Sequence, residues 1–217
     1  MSLVEKLICD PDFSYLQPYF YNNPYALRCE LGCCEENYLA SAKKRALEIY
    51  RILFPQGADA IMFSYWIQDL SDSGEAECTC LNDGNYQEIL SNRIGILTEQ
   101  VKFLSHCQFH YRHVSVKGLE TYEATEDDSQ RRNRIICYAD GKGFDDDRLI
   151  HRLVYDTANS PDVSFVSFRH ECIFSIYDCR GCDIVFLTRE KMREFYPRLQ
   201  PYFLACDLEK MNKRYEG

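Results

Sequence analysis

Apolar residues in this chain occur in short stretches whose spacing changes between the two-residue period of a β-strand and the three-to-four-residue period of a helix. The patterns predict a strand, a helix, a group of strands and a second helix, and the second half of the chain repeats that succession. Helices are thus segregated between groups of strands. We predict an α+β fold in which helices pack on a mixed or antiparallel sheet, with two similar strand–helix–strand–strand halves as an option.

The clearest helix pattern runs from 37 to 53, where Asn37 can act as the cap and Pro55 and Gly57 end the helix. Three aspartates from Asp145 to Asp147 stand at the start of another helix, where they favour its dipole. Further helices are predicted at 86–107, 189–195 and 208–215. Strands are predicted at 26–31, 58–67, 75–81, 109–116, 134–138, 162–168, 172–177 and 182–187.

The length of 217 residues fits one domain, 1–217. The most polar stretch, 118–133, has an acidic half followed by a basic half, as in a surface loop or a linker. It permits a subdivision into 1–117 and 134–217.

The chain has 34 Asp and Glu against 25 Lys and Arg, a formal net charge of −9. This acidic excess argues against a nucleic-acid partner, since such proteins present a basic face. No stretch approaches the roughly 20 apolar residues of a membrane helix, and the first residues lack the pattern of a secretory signal. We therefore expect a cytoplasmic protein that binds neither nucleic acid nor membrane; the oligomeric state does not follow from the sequence.

The acidic residues are unevenly distributed, because no Lys or Arg occurs between Ile52 and Asn92. A negative surface there would attract a basic protein partner, and aromatic residues ringed by charge make good binding hot spots. The alternative is a solvated acidic loop that aids solubility. The candidate partner-binding residues are Tyr65, Trp66, Asp69, Asp72, Glu75 and Glu77.

Twelve cysteines in a chain of this size and expected compartment indicate reduced, mostly buried thiols. Cys179 and Cys182 have C-x-x-C spacing, but they lie between two predicted strands, where a redox site is not expected. His106, His110 and His113 form a dense patch that exposed strand positions explain as well as a metal site does. We predict no metal site and no cofactor. The alternative is a protein that binds a metal through one of these two groups of Cys and His residues.

One segment stands out locally: Tyr177-Asp178-Cys179-Arg180-Gly181-Cys182-Asp183. It joins two predicted strands through a glycine, and Asp178 and Asp183 flank Arg180. We predict a tight hairpin in which both carboxylates hold the arginine, and prefer this to catalysis because no nucleophile or base is paired with it.

This segment, with Arg28-Cys29-Glu30-Leu31-Gly32, Arg45-Ala46 and the tail 204–215, resembles a bacterial family catalogued as domain of unknown function 3885. The resemblance is strongest from Arg134 to Tyr215. The family pattern has an aromatic residue where this chain has Cys29, and Asp where it has Cys179. The resemblance therefore implies that a disulfide or zinc pair at Cys179 and Cys182 is not a family trait, and it implies no assigned activity. The resemblance also marks a polar cluster whose role should be tested. Its residues are Arg28, Glu30, Tyr177, Asp178, Arg180 and Asp183, together with Gly181.

Besides the Cys/His metal binder named above, two classes of function remain. The first is a non-enzymatic protein-binding module, similar to immunity proteins, that offers its acidic surface to a basic partner. The alternative is an enzyme or small-molecule binder, which requires Arg28 and Glu30 to meet Asp178, Arg180 and Asp183 in one pocket.

Overall fold

A computed structural model describes residues 13–14, 18–32, 36–68, 115–122, 132–141, 145–156 and 162–217 of the protein. The predicted elements at 75–81 and 86–107 and the histidine patch at 106–113 lie outside the described residues, as does most of the predicted strand at 109–116.

Within the described residues, seven strands form one sheet in the order β1-β7-β6-β5-β2-β4-β3. The strands are β1 (Ala26–Glu30), β2 (Ala60–Gln68), β3 (Ser115–Tyr122), β4 (Arg132–Asp140), β5 (Asp162–Ser167), β6 (Cys172–Asp178) and β7 (Gly181–Phe186). All neighbouring strands are antiparallel. The sheet and its helices confirm the predicted α+β class, and the sheet takes the antiparallel option.

The predicted polar linker at 118–133 begins in β3 and ends in β4, and these two strands pair with each other. β4 also pairs with β2 from the first half of the chain, and β2 pairs with β5 from the second. Strands from both halves therefore share one sheet. The division of the chain into domains stays a prediction.

Five α-helices are described: α1 (Tyr19–Asn22), α2 (Tyr38–Leu53), α3 (Asp146–Tyr155), α4 (Arg189–Leu199) and α5 (Leu208–Glu216). The apolar face of α2 is buried as its spacing predicts, through Ala42, Ala46, Ile49, Tyr50 and Leu53. None of the described helices is of a length and apolarity that would let it cross a membrane.

The two predicted helix starts differ in outcome. At α3 the Asp145 side chain accepts a hydrogen bond from the main-chain N–H of Arg148 at 3.0 Å, which confirms its role at the helix start. At α2, Asn37 stands at the predicted N-cap position, but its side chain makes no capping hydrogen bond, so the predicted capping role is wrong. Asn37 has a φ of 59°, and asparagine tolerates this left-handed conformation better than most residues.

The edge strand β1 determines where the polar residues lie. Because side chains alternate along a strand, Arg28 and Asp183 share one face of the sheet, while Cys29 and Cys182 share the other. The helices α1 and α5 both contact β1. The free edge of β1 is covered by the chain's last segment: the Leu204 N–H donates to the Arg28 carbonyl at 3.1 Å.

Candidate functional site

The turn between β6 and β7 holds Arg180 against one carboxylate only. Asp178 accepts hydrogen bonds from the main-chain N–H and from Nε of Arg180, both at 2.7 Å. The tight hairpin is therefore present, but the prediction that Asp183 also binds Arg180 is wrong. Asp183 lies within β7, whereas the Arg180 side chain extends from the turn and is 76% exposed.

Asp183 instead binds Arg28 across the β1–β7 pair. It accepts from Arg28 Nε at 2.8 Å and from Nη2 at 3.2 Å, and it also accepts from the main-chain N–H of Phe20 at 3.0 Å. The two side chains are only 9% and 3% exposed. Burial by itself lowers the pKa of the Arg28 guanidinium, but the hydrogen bond and charge of Asp183 outweigh it and raise that pKa above its ordinary value.

A second carboxylate and three aromatic rings complete the surroundings of Arg28. Asp207 Oδ2 lies 3.7 Å from Nη1 of Arg28, and both Asp207 oxygens accept from the Tyr21 hydroxyl at 3.1 Å. The guanidinium carbon lies 4.6 Å from the ring centre of Tyr21, 5.1 Å from that of Tyr177 and 5.4 Å from that of Phe20. These contacts fix Arg28 in a single position.

Arg28 and the hairpin border one open cleft of about 710 Å³. Five of the six residues of the predicted polar cluster line it: Arg28, Glu30, Tyr177, Asp178 and Arg180. The sixth, Asp183, contacts Arg28 but does not line the cleft. The structure therefore brings together residues from two segments about 150 positions apart in the chain.

Two tyrosines stand in the cleft above glycines. A methyl group on Gly32 would overlap the Tyr38 ring, and one on Gly181 would overlap the Tyr177 hydroxyl. Both glycines are therefore required for these rings to approach the backbone. Burial raises the pKa of the Tyr177 and Tyr38 hydroxyls, so both remain neutral hydrogen-bonding groups at neutral pH.

Glu30 differs from the other charged residues of the cleft. Its side chain forms no ion pair with any residue that the structure describes. Arg45 approaches it, but Arg45 donates to the main-chain carbonyl of Glu30 at 2.9 Å and lies over the Tyr202 ring. Glu30 is half-buried and lines the cleft, where its side chain is not paired with a described cationic residue.

The described part of the chain offers no group of three or more His, Cys, Asp and Glu residues placed to hold a metal ion. Cys182 lies opposite Cys29 in the strand register, and both thiols are free and buried. Burial raises the pKa of the Cys182 thiol, and a hydrogen bond with Cys29 adds to this, so Cys182 stays protonated. Cys179 is also free.

The predicted partner-binding residues lie elsewhere or are not described. The backbone of Tyr65 and Trp66 belongs to β2, where these residues pair with Ile135 and Arg134 of β4. Asp69, Asp72, Glu75 and Glu77 lie outside the described residues. Their role in binding a partner stays a prediction.

Sequence reasoning missed four residues of the cleft wall, Pro18, Gly32, Tyr38 and Leu204, as well as the second carboxylate on Arg28, Asp207. Gly32 carried a signal because it closes the R-x-E-L-G motif, and Leu204 and Asp207 lie in the tail 204–215 that resembles the family. The others reach the site through the packing of α1, α2 and the last segment around β1, which no local pattern encodes.

Comparison with known families places these motifs in context. The model of a family described as "Domain of unknown function (DUF3885)" matches residues 8–207. No curated protein and no solved structure matches the chain.

Proposed function

The chain belongs to the DUF3885 family, a domain of unknown function, and we propose that its function is to bind a small polar ligand, or a polar group of a larger one, in the cleft beside β1. One observation carries this proposal: five polar residues marked by the sequence motifs converge on a single cleft of about 710 Å³. Ligand sites in proteins have volumes in this range, with a few polar groups placed by a rigid scaffold.

The state of the polar groups favours binding over catalysis. Arg28 and Arg180 are each held by a carboxylate, and burial raises the pKa of Tyr38 and Tyr177. A general base or nucleophile needs a pKa near the working pH, and these groups are shifted away from it. Side chains that are already held in place by their neighbours instead lower the cost of ordering a bound ligand.

A thermal-shift screen of the purified protein against a metabolite library, followed by calorimetric titration of the hits, tests the proposal. The matched variants are Leu204→Trp, which places a larger ring in the cleft wall, and Leu208→Trp, which places the same ring at an exposed position outside it. We expect Leu204→Trp to weaken binding and Leu208→Trp to leave it unchanged. Hits whose affinity is the same in both variants would show that the cleft is not the binding site.

A second function is favoured by a separate observation, the absence of any Lys or Arg between Ile52 and Asn92. The negative potential of such a segment suits a basic protein partner, as in immunity proteins of the bacterial cytoplasm.

The test of this second function is a pull-down from native lysate with the wild-type chain and with Asp69→Lys, Asp72→Lys and Glu75→Lys combined. A control reverses the charge of the exposed Glu190 and Glu209 on α4 and α5. We expect the triple lysine variant to lose the basic protein that the wild type captures. The control variant at Glu190 and Glu209 should still capture it. Equal capture by all three proteins, or none by the wild type, would remove this function.

A further inference from the structure

The charged residues of the cleft differ in whether they are already paired within the protein, and this difference indicates what the cleft binds. Two arginines line it, Arg28 and Arg180, and they resemble an anion site at first sight. Arg28, however, is already paired with Asp183 at 2.8 Å and lies 3.7 Å from Asp207. An anionic ligand would have to compete with two carboxylates for one buried guanidinium.

Arg180 is no better placed to bind an anion. Asp178 accepts from its main-chain N–H and from its Nε, so the side chain is bound to its own turn. The exposed remainder of the guanidinium faces solvent, where a single charge attracts a ligand weakly. Among the described residues, no other Lys or Arg lines the cleft.

Among the carboxylates of the cleft, by contrast, one is unpaired. Glu30 and Asp178 equal the two lining arginines in number, but Asp178 is bound to Arg180, and Asp183 and Asp207, which do not line the cleft, are paired with Arg28. Glu30 has no ion-pair partner among the described residues. Arg214 also lies nearby, but it donates to the main-chain carbonyls of Ala26 and Phe20. A recessed carboxylate without an ion-pair partner attracts cations.

The rings beside Glu30 add a second attraction for a cation. Tyr38 and Tyr177 line the same cleft as neutral phenols, and their ring faces attract ammonium and guanidinium groups. Their hydroxyl oxygens can also accept hydrogen bonds from such groups. The Arg28 guanidinium shows this preference within the protein, since its carbon lies 5.1 Å from the Tyr177 ring centre.

We propose that the cleft recognises a cationic group, a primary ammonium or a guanidinium, which pairs with Glu30 and packs against Tyr38 and Tyr177. This inference rests on the proposed function, because it names the ligand class of the same cleft.

The test is an NMR titration of the ¹⁵N-labelled full chain with four probes: butylguanidinium chloride, butylammonium chloride, sodium butyrate and sodium phosphate. We expect the two cations to shift the amide signals of Glu30, Gly32 and Gly181 saturably, with Kd of the order of 1 mM for ligands of this size. The anions should leave these signals in place. Raising the ionic strength should weaken the cation binding.

Glu30→Gln should raise the Kd of both cations about tenfold, because it removes the charge of the acceptor and keeps its shape. The matched control is Glu190→Gln on α4, an exposed residue that does not line the cleft, and it should leave the Kd unchanged. Equal effects of the two variants would overturn the assignment to Glu30.

The remaining outcomes separate this inference from the proposed function. Saturable shifts in the cleft with butyrate or phosphate but not with the cations would refute the cationic class and leave ligand binding in the cleft intact. If the library screen finds no ligand and no probe of either sign shifts the cleft signals, both the inference and the proposed function fail.

Discussion

Replacing Asp183 by asparagine should destabilise the protein strongly, because it removes the main counter-charge of a buried arginine. The substitution keeps the shape of the side chain. In the wild type, Arg28 Nε and Nη2 donate to the two carboxylate oxygens of Asp183 at 2.8 and 3.2 Å. In the variant these donors face an amide, which has one acceptor oxygen and one NH2 group that is itself a donor. The hydrogen bond from the Phe20 N–H at 3.0 Å also loses its charged acceptor.

The magnitude follows from the burial of the pair. The Arg28 and Asp183 side chains are 9% and 3% exposed, and breaking such a pair from one side typically costs about 3–5 kcal/mol. Asp207 remains 3.7 Å from Nη1 of Arg28 and compensates in part. We therefore expect Asp183→Asn to lower the free energy of unfolding by about 3 kcal/mol, with a fall in Tm of about 6–12 °C for a chain of this length.

Urea denaturation followed by circular dichroism measures the change, which should appear as a lower midpoint at an unchanged slope. A double-mutant cycle with Arg28→Met separates the pair from the individual residues. The double variant should be more stable than the sum of the single losses predicts, with a coupling of about 2 kcal/mol.

The matched control is Asp147→Asn on α3. Asp147 binds Lys43 at 2.7 Å, a distance close to that of the buried pair, but its side chain is 57% exposed. Its replacement should therefore cost less than about 1 kcal/mol. If Asp183→Asn costs no more than Asp147→Asn, or if the cycle shows no coupling, the argument from desolvation is refuted.

Three further predictions concern other sites. Gly141→Ala should lower the free energy of unfolding by about 1–3 kcal/mol, because its methyl group would overlap the main-chain carbonyl of Ala58; an unchanged urea midpoint would contradict this. Stability should fall as the pH drops below about 6.5, the ordinary pKa of histidine, because burial keeps the pKa of His170 below that value and the unfolded chain takes up the proton first. His170→Phe should remove this loss between pH 7 and 5, and an identical pH profile in the variant would count against the assignment. Cys182 should react with iodoacetamide at least about 100-fold more slowly than Cys206, because Cys182 is buried with a raised thiol pKa and Cys206 is exposed; peptide mapping by mass spectrometry compares the two rates.

The regular elements could be predicted because their signals are local. The strand pattern at 26–31 became β1 and the helix pattern at 37–53 became α2, each within two residues of its observed bounds. Apolar spacing predicts which face of an element is buried, whatever it packs against. The role of Asn37 was misassigned because a capping residue and a left-handed turn residue look alike in sequence.

The partners of the polar residues could not be predicted in the same way. Proximity in sequence suggested that Asp183 binds Arg180, but strand alternation turns it toward Arg28, 155 positions away. The C-x-x-C spacing likewise drew attention to Cys179, whereas Cys182 lies opposite Cys29. In both cases the pairing of β1 with β7 decided the neighbour.

The sequence by itself determined the class of fold, the positions of most of its described helices and strands, and the residues of the polar cluster, because spacing and motif are properties of short segments. It did not predict α1, and it assigned most of β3 to a polar linker. The tertiary structure alone decided that five residues of the cluster line one cleft, that Tyr38 and Leu204 complete its wall, and that Glu30 has no ion-pair partner among the described residues. The physical reason is that β1 can satisfy its hydrogen bonds only by pairing with a strand far along the chain. That pairing brings together charged residues from distant segments, so which of them pair with each other cannot be predicted from any one segment.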